Sequence, residues 1–224
     1  MAGYYADKLS GKRLKEVYES APPRIKQYLD AEVEYLLSRI TPEDSVLELG
    51  CGYGRILPRL AQKAAVVVGI DNSMKNLQYE HKALRGLKNC SLACMDASQL
   101  AFRDRSFDVV VCIQNGISAF QTGRRELIRE AMSVTRTGGR ALFSSYSEKF
   151  WDDRLEWFRA QAEDGLIGEI DLERTGDGVI VCKDGFTAST VSPEEFLVLT
   201  ENLDADVTIV EVDESSIFCE ITRH

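Results

Sequence analysis

Hydrophobic positions along the chain change their period twice. Between residues 8 and 40, Leu14, Val17 and Tyr18 fall at helical spacing, and Ile25, Tyr28, Leu29, Val33, Leu36, Leu37 and Ile40 form a second helical stripe. Two amphipathic helices are predicted, divided at Ala21-Pro22-Pro23, because proline suits a helix start and cannot continue the helix before it. After Thr41-Pro42, apolar runs at VLEL (46–49), VVVGI (66–70), VVVCI (109–113) and ALF (141–143) alternate with helix-like segments such as RRELIREAMSVT (124–135). SLAC (91–94) is a weaker strand candidate. Strands apolar on successive residues are covered on both faces, so the pattern predicts an α/β, doubly wound, mostly parallel sheet.

From about Ser144 the alternation stops. Residues 147–163 read as helix, and 168–190 carry Gly and Asp turn signals between short extended runs, as an antiparallel insertion would. Ser192-Pro193-Glu194-Glu195 has the order of a helix start, and 206–222 reads as two strands around an acidic turn. The expected organisation is one domain over 1–224: an N-terminal helical lid (1–40), a core (41–146), an insertion (147–191) and a final helix with a strand pair (192–224).

Composition narrows the function. The chain has 224 residues, 44% of them hydrophobic, enough for one sizeable core. With 27 Lys and Arg against 36 Asp and Glu, the net charge of −9 disfavours phosphate backbones, so no nucleic-acid partner is expected. The N-terminus lacks an apolar leader and no stretch reaches the ~20 apolar residues of a membrane span, so no membrane partner and a cytoplasmic location are expected. The six cysteines read as reduced and structural. Cys90 and Cys94, the nearest pair for soft-metal or arsenite chemistry, fall in a strand expected to be buried, and no metal site is expected.

Candidate chemistry concentrates in VLELGCGYGRI (46–56), where a strand runs into Gly50, Gly52 and Gly54. Such a turn marks the ligand crevice of a doubly wound sheet. A dinucleotide fingerprint needs a third glycine three residues on, but Arg55 or Leu57 stands there. Glu48-x-Gly50-x-Gly52-x-Gly54, followed by Gly69-Ile70-Asp71 and Met95-Asp96-Ala97, resembles instead the class I S-adenosylmethionine-dependent methyltransferases over roughly residues 40–145 and the terminal strand pair. SFDVVVCIQNG (106–116) and TRTGGRALFS (135–144) resemble the family's fourth strand and its turn into the fifth, with Thr137 where proline is common.

The resemblance implies a seven-stranded Rossmann-like sheet and an enzyme that transfers a methyl group from S-adenosylmethionine, leaving S-adenosylhomocysteine. It assigns the cofactor to Glu48, Gly50, Cys51, Gly52, Gly54, Asp71, Asn72, Asp96, Ala97 and Gln114. Asp71 is expected on the ribose, since a carboxylate accepts two hydrogen bonds from a vicinal diol, and Asp96 on the adenine amino group. The bland readings are a helix cap for Asp71 and a surface acid for Asp96. Glu48, an acid in an apolar strand, must face the crevice or be paired. Arg24 and Arg55 are candidates for the cofactor's carboxylate, with solvent as the commoner fate of an arginine.

On the acceptor side the candidates are Tyr4, Tyr5, Tyr18, Asn115 and Tyr146. Trp151, Trp157, Phe158 and Phe186 either line an acceptor pocket or form the insertion's own core. Neither His81 nor His224 is placed to serve as a base, and no catalytic residue is assigned, because alignment alone can supply much of the acceleration. Asn115-Gly116-Ile117-Ser118 is not the Asn/Asp-Pro-Pro-aromatic motif of enzymes that methylate planar nitrogens, so a small-molecule acceptor bearing an amine, thiol, hydroxyl or carbon nucleophile is expected. The alternatives are a non-catalytic cofactor-binding module serving a partner enzyme and an NAD-dependent dehydrogenase.

Overall fold

The computed structural model describes Tyr4 and residues 8–84, 86–120 and 122–224. The predicted N-terminal pair forms α1 (Lys12–Glu19) and α2 (Pro23–Leu37), with Pro22 as N-cap and Pro23 opening the second helix. The alternating region gives β1 (Ser45–Leu49), α3 (Leu57–Lys63), β2 (Val66–Asp71), α4 (Met74–Leu84), β3 (Cys90–Cys94), β4 (Phe107–Cys112), α5 (Arg124–Val134) and β5 (Thr135–Tyr146). After it come α6 (Trp151–Glu163), a hairpin of β6 (Ile180–Val181) and β7 (Thr187–Ala188), α7 (Pro193–Thr200), β8 (Ala205–Val212) and β9 (Ser216–Arg223). Ser192 caps α7 by accepting the Glu195 N–H at 3.2 Å.

The seven-stranded sheet has the order β3-β2-β1-β4-β5-β9-β8. β1 to β5 pair in parallel, whereas β9 pairs antiparallel with both β5 and β8. The terminal pair joined by a short turn at 213–215 can only be antiparallel, which explains its place at one edge. Alternation along the strands sends side chains to two cores. Leu47, Val110 and Ala141 pack beneath α5 and α7, whereas Val46, Val67 and Val109 pack beneath α2, α3 and α4. Gly69 sits where a Cβ would meet the Leu57 methyls at 2.9 Å, so glycine in β2 lets α3 lie close on the sheet.

A third core lies off the sheet. It joins Leu14 and Val17 of α1, Ile25 and Tyr28 of α2, Tyr146, Phe150, and Trp157 and Phe158 of α6 to Phe186 beside the hairpin. The lid and insertion therefore form one aromatic body.

The expectation for Cys90 and Cys94 fails because β3 is an edge strand: Cys94 is exposed and Cys90 half-buried. No group of three or more metal-ligating side chains is present among the described residues. No helix among them is long and apolar enough to cross a membrane.

Candidate functional site

β1 runs outward to β2 on one side and to β4 on the other, and the strand order reverses between β1 and β4. Such a switch point opens a crevice at the carboxyl ends of the strands. Here it is a cleft of about 340 Å³. Gly50, Gly52 and Gly54 have φ of 71°, 56° and 81°, a left-handed run that carries the chain from β1 around the mouth. A Cβ on Gly50 would lie 2.9 Å from the Phe120 ring, so the side-chain-free backbone also makes room on the cleft side.

Of the residues assigned to the cofactor, Glu48, Gly50, Cys51, Gly52, Asp71, Asn72, Asp96 and Gln114 line this cleft. Two do not. Gly54 lies behind the turn, donating its N–H to the Cys51 carbonyl at 2.8 Å. Ala97 is 2% exposed and packs into the core beneath α5, because the chain turns inward after Asp96.

Asp71, at the end of β2, is held by three donors. Its Oδ1 accepts from the Ser73 N–H at 2.8 Å and Asn76 Nδ2 at 3.1 Å, and its Oδ2 from the Gly52 N–H at 3.0 Å. Burial pushes this carboxyl up and the three hydrogen bonds oppose it. A carboxylate has about four accepting sites, so one remains for a ligand. The capping reading and the cleft-facing reading thus hold together. Asn76, which the sequence reading missed, also accepts the Gly11 N–H at 2.7 Å and so ties the lid to Asp71. Asp96, just past the end of the neighbouring strand β3, is exposed, with Oδ1 accepting from the N–H and hydroxyl of Ser98.

Glu48 is 6% exposed and its Oε2 has no hydrogen-bond partner. Burial pushes it up to about 8, with Arg55 opposing and Asp71 adding. Arg55 also lines the cleft, its guanidinium 5.0 Å from the centre of the Tyr18 ring and its Nε and Nη2 buried without a partner. Arg24 is elsewhere: it pairs with Asp213 at 2.5 Å and stacks on Phe150.

Among the acceptor-side candidates, Tyr18, Asn115 and Tyr146 line the cleft. Asn115 is fixed from both ends, donating to the Ser189 carbonyl at 2.8 Å and accepting from the Ser145 hydroxyl at 2.9 Å. Tyr4 is not a cleft residue. Its hydroxyl donates to Asp184 at 2.7 Å and its ring meets Phe186 edge-on, so it straps the N-terminal segment to the insertion. Tyr5 and the His81 side chain lie outside the described residues. His224 is exposed beside Asp204 and Asp206. Of the insertion's aromatics, Phe158 lines the cleft, while Trp157 and Phe186 pack in the third core, which the insertion shares with the N-terminal helices instead of forming alone.

One functional neighbour was missed although its signal was present. Glu32 falls four residues after Tyr28 on the buried stripe of α2 and is fully buried. Its Oε2 accepts the Gln114 N–H at 3.1 Å. That N–H also reaches the Ser144 hydroxyl at 2.8 Å. Burial pushes Glu32 up to about 7 against its hydrogen bonds. It thus clamps the left-handed Gln114-Asn115 turn, whose φ values are 57° and 56°.

Residues 46–139 match the model of a methyltransferase domain. A ubiquinone biosynthesis O-methyltransferase of Coxiella burnetii is 25% identical over 141 residues, 62% of this chain and 56% of that protein. A carboxy-S-adenosyl-L-methionine synthase of Helicobacter pylori is 31% identical over 85 residues, 36% of this chain and 35% of that one. The chain thus spans about half the length or less of these relatives. The solved structure of a methyltransferase from Aquifex aeolicus, described as S-adenosylmethionine-dependent, shares the fold with a TM-score of 0.61 at 15% identity, covering 92% of this chain and 96% of that one. Over residues 46–139 the chain is thus similar to a methyltransferase domain, and the glycine turn and the ends of β1 to β4 fall inside that stretch.

Proposed function

We propose that this protein transfers a methyl group from S-adenosylmethionine to a small-molecule acceptor. The observation that carries the reading is the set of partnerless polar atoms around the glycine turn: Glu48 Oε2 and Arg55 Nε and Nη2. Buried polar atoms without partners are rare and await a ligand or water. A carboxylate and a guanidinium in one cleft complement a zwitterionic amino-acid end, with Glu48 facing its ammonium and Arg55 its carboxylate. Asp71 takes one ribose hydroxyl on its remaining site, Asn72 stands beside it for the other, and Asp96 serves the adenine amino group.

When bound, S-adenosylmethionine supplies a sulfonium methyl that passes to a nucleophile in line, the S–C electron pair returning to sulfur. The chain's task is alignment and exclusion of water, worth ~7–11 kcal/mol in favourable cases. Gln114 and Asn115, locked by Glu32, Ser144 and Ser145, form a rigid wall beside the reacting atoms. Tyr18 and Phe158 roof the cleft from the lid and insertion. The relative named for ubiquinone biosynthesis supports an acceptor of small-molecule size.

Calorimetry with S-adenosylmethionine and NAD tests the cofactor; binding of NAD alone overturns the reading. Asp71→Ala should weaken S-adenosylmethionine by about 1–3 kcal/mol, the scale for hydrogen bonds to a charged group. Unchanged affinity in the folded variant rejects the ribose assignment. A screen of acceptors with methyl-labelled cofactor separates an enzyme from a binding module.

A further inference from the structure

The proposed ribose site and the N-terminal lid share their supports. Three donors hold Asp71: the N–H groups of Gly52 and Ser73 and the side-chain amide of Asn76. The α1 segment touches two of the residues that carry them. A Cβ on Gly52 would meet Leu14 Cδ2 at 3.1 Å, so a methyl group of α1 rests directly on the glycine turn. Asn76 is met by Gly11, the N-cap of α1, whose N–H donates to Asn76 Oδ1 at 2.7 Å in a buried contact. Leu14 and Tyr18 of the same helix line the cleft together with Asn76.

The Asn76 amide can stand only one way round. A backbone N–H only donates and a carboxylate only accepts, so Oδ1 must face Gly11 and Nδ2 must face Asp71. The side chain is 3% exposed, and losing either partner would leave a buried polar group unsatisfied. Its value to α1 follows from the helix itself. The N–H groups at a helix start lack intrahelical partners, and α1 has no side-chain cap, so Asn76 supplies an acceptor from α4. With eight residues α1 is also too short to be stable by itself, so its order depends on contacts of this kind.

We infer that Asn76 is a positioning residue that couples cofactor binding to the seating of α1. It acts through Asp71. A ribose hydroxyl on the remaining accepting site of Asp71 fixes that carboxylate, and the fixed carboxylate fixes the plane of the Asn76 amide. The amide then meets the Gly11 N–H with less orientational freedom left to lose. Coupling between two sites is reciprocal, so a seated α1 in turn holds the carboxylate ready for the ribose. This rests on the cofactor reading and adds to it a link between cofactor occupancy and lid order.

Hydrogen exchange of the Gly11 amide, followed by NMR in the full chain, reads the contact directly. Saturating S-adenosylhomocysteine should slow that exchange about tenfold, inside the range of about 5–150-fold usual for coupled sites. Asn76→Asp keeps an acceptor for Gly11 and removes the donor to Asp71. In that variant S-adenosylhomocysteine should bind about tenfold more weakly, as reciprocity requires, and its slowing of Gly11 at saturation should be lost. Full slowing in the variant overturns the inference, because Asn76 would then only support Asp71 while direct cofactor contacts order α1. Unchanged Gly11 exchange in wild-type protein with S-adenosylhomocysteine bound also overturns it and leaves the cofactor reading standing. Failure of S-adenosylhomocysteine to bind rejects the cofactor reading first. A wild-type comparison decides the matter if Asn76→Asp does not fold. Adenosine should slow Gly11 exchange, and a dideoxy analogue lacking both ribose hydroxyls should not; equal slowing by the two at saturation overturns the route through Asp71.

Discussion

The two sides of the cleft are made by different means. On the sheet side, Glu48, Asp71 and Asp96 stand at or just beyond the ends of three parallel strands, with Arg55 following the glycine turn. Their positions follow from strand register, and they make this side of the cleft charged. On the lid side, Tyr18, Tyr146 and Phe158 come from three separate segments and meet only because they share a core. The difference separates a fixed demand from an adaptable one. A charged ligand end needs groups placed within hydrogen-bond distance, which a rigid sheet provides. An apolar wall needs only a shaped, dry surface, which ring packing provides without disturbing the sheet.

The comparison would break if the aromatic body folded apart from the sheet. Phe150 tests this. It is fully buried at the seam, its ring 5.1 Å from that of Tyr28 and 6.3 Å from that of Tyr146, which ends β5. Phe150→Ala should cost about 3–5 kcal/mol, the usual loss for truncating a buried aromatic. In urea, both the intrinsic fluorescence of Trp151 and Trp157 and the far-ultraviolet circular dichroism should shift together to a lower midpoint. Separate transitions for the two probes would show that lid and insertion form an independent unit.

What the sequence showed of each side follows the same division. The strand ends were readable because apolar runs of four or five residues stop at Gly50, Asp71 and Asp96, and local pattern fixes local structure. So were the Pro22-Pro23 break and the Ser192 cap. Ala97 was misplaced because a cleft-facing residue and its inward-facing neighbour are adjacent in sequence, and only the turn geometry separates them. Tyr4 was misplaced for another reason: its partner Asp184 is 180 residues away, and periodicity carries nothing about such a contact. Thr187 and Ala188 reach the cleft only because Arg154 holds the hairpin, donating to the Gly178 and Ala188 carbonyls at 2.9 and 2.8 Å.

The charged side makes a prediction about pH. Glu48 sits at about 8 when buried, against an ordinary value of 4.5. Between those values the folded protein holds a proton that the unfolded chain has released, so its contribution to stability falls as pH rises through that window and levels off above it. Glu32, raised to about 7, adds the same sign over a narrower range. Thermal midpoints of the ligand-free protein should therefore drop from about pH 5 to about pH 8, with Glu48→Gln removing part of the slope. If the Glu48 carboxylate receives the cofactor's ammonium, binding near pH 7 should release a proton. Calorimetry in two buffers of different ionisation heat measures that release, and Glu48→Gln should abolish it. Proton uptake on binding would reverse the assignment.

The smallest expected effect sharpens the boundary between strap and site. The Tyr4 hydroxyl donates to Asp184, which also takes Lys8 at 3.3 Å, and both acidic and basic groups are partly solvent-exposed. Exposed pairs of this kind contribute about 0.2–1 kcal/mol. Tyr4→Phe keeps the edge-on contact with Phe186 and removes only the hydroxyl, so stability should fall by no more than that. The affinity for S-adenosylhomocysteine should not move, because Tyr4 touches neither the glycine turn nor Asp71. Steady-state kinetics give the sharper readout once an acceptor is in hand. A strap that steadies Phe186 changes the acceptor's KM slightly and leaves kcat alone, whereas a residue in contact with the reacting atoms lowers kcat. A large loss of kcat in Tyr4→Phe would move Tyr4 from the strap into the site and extend the acceptor's path along the insertion.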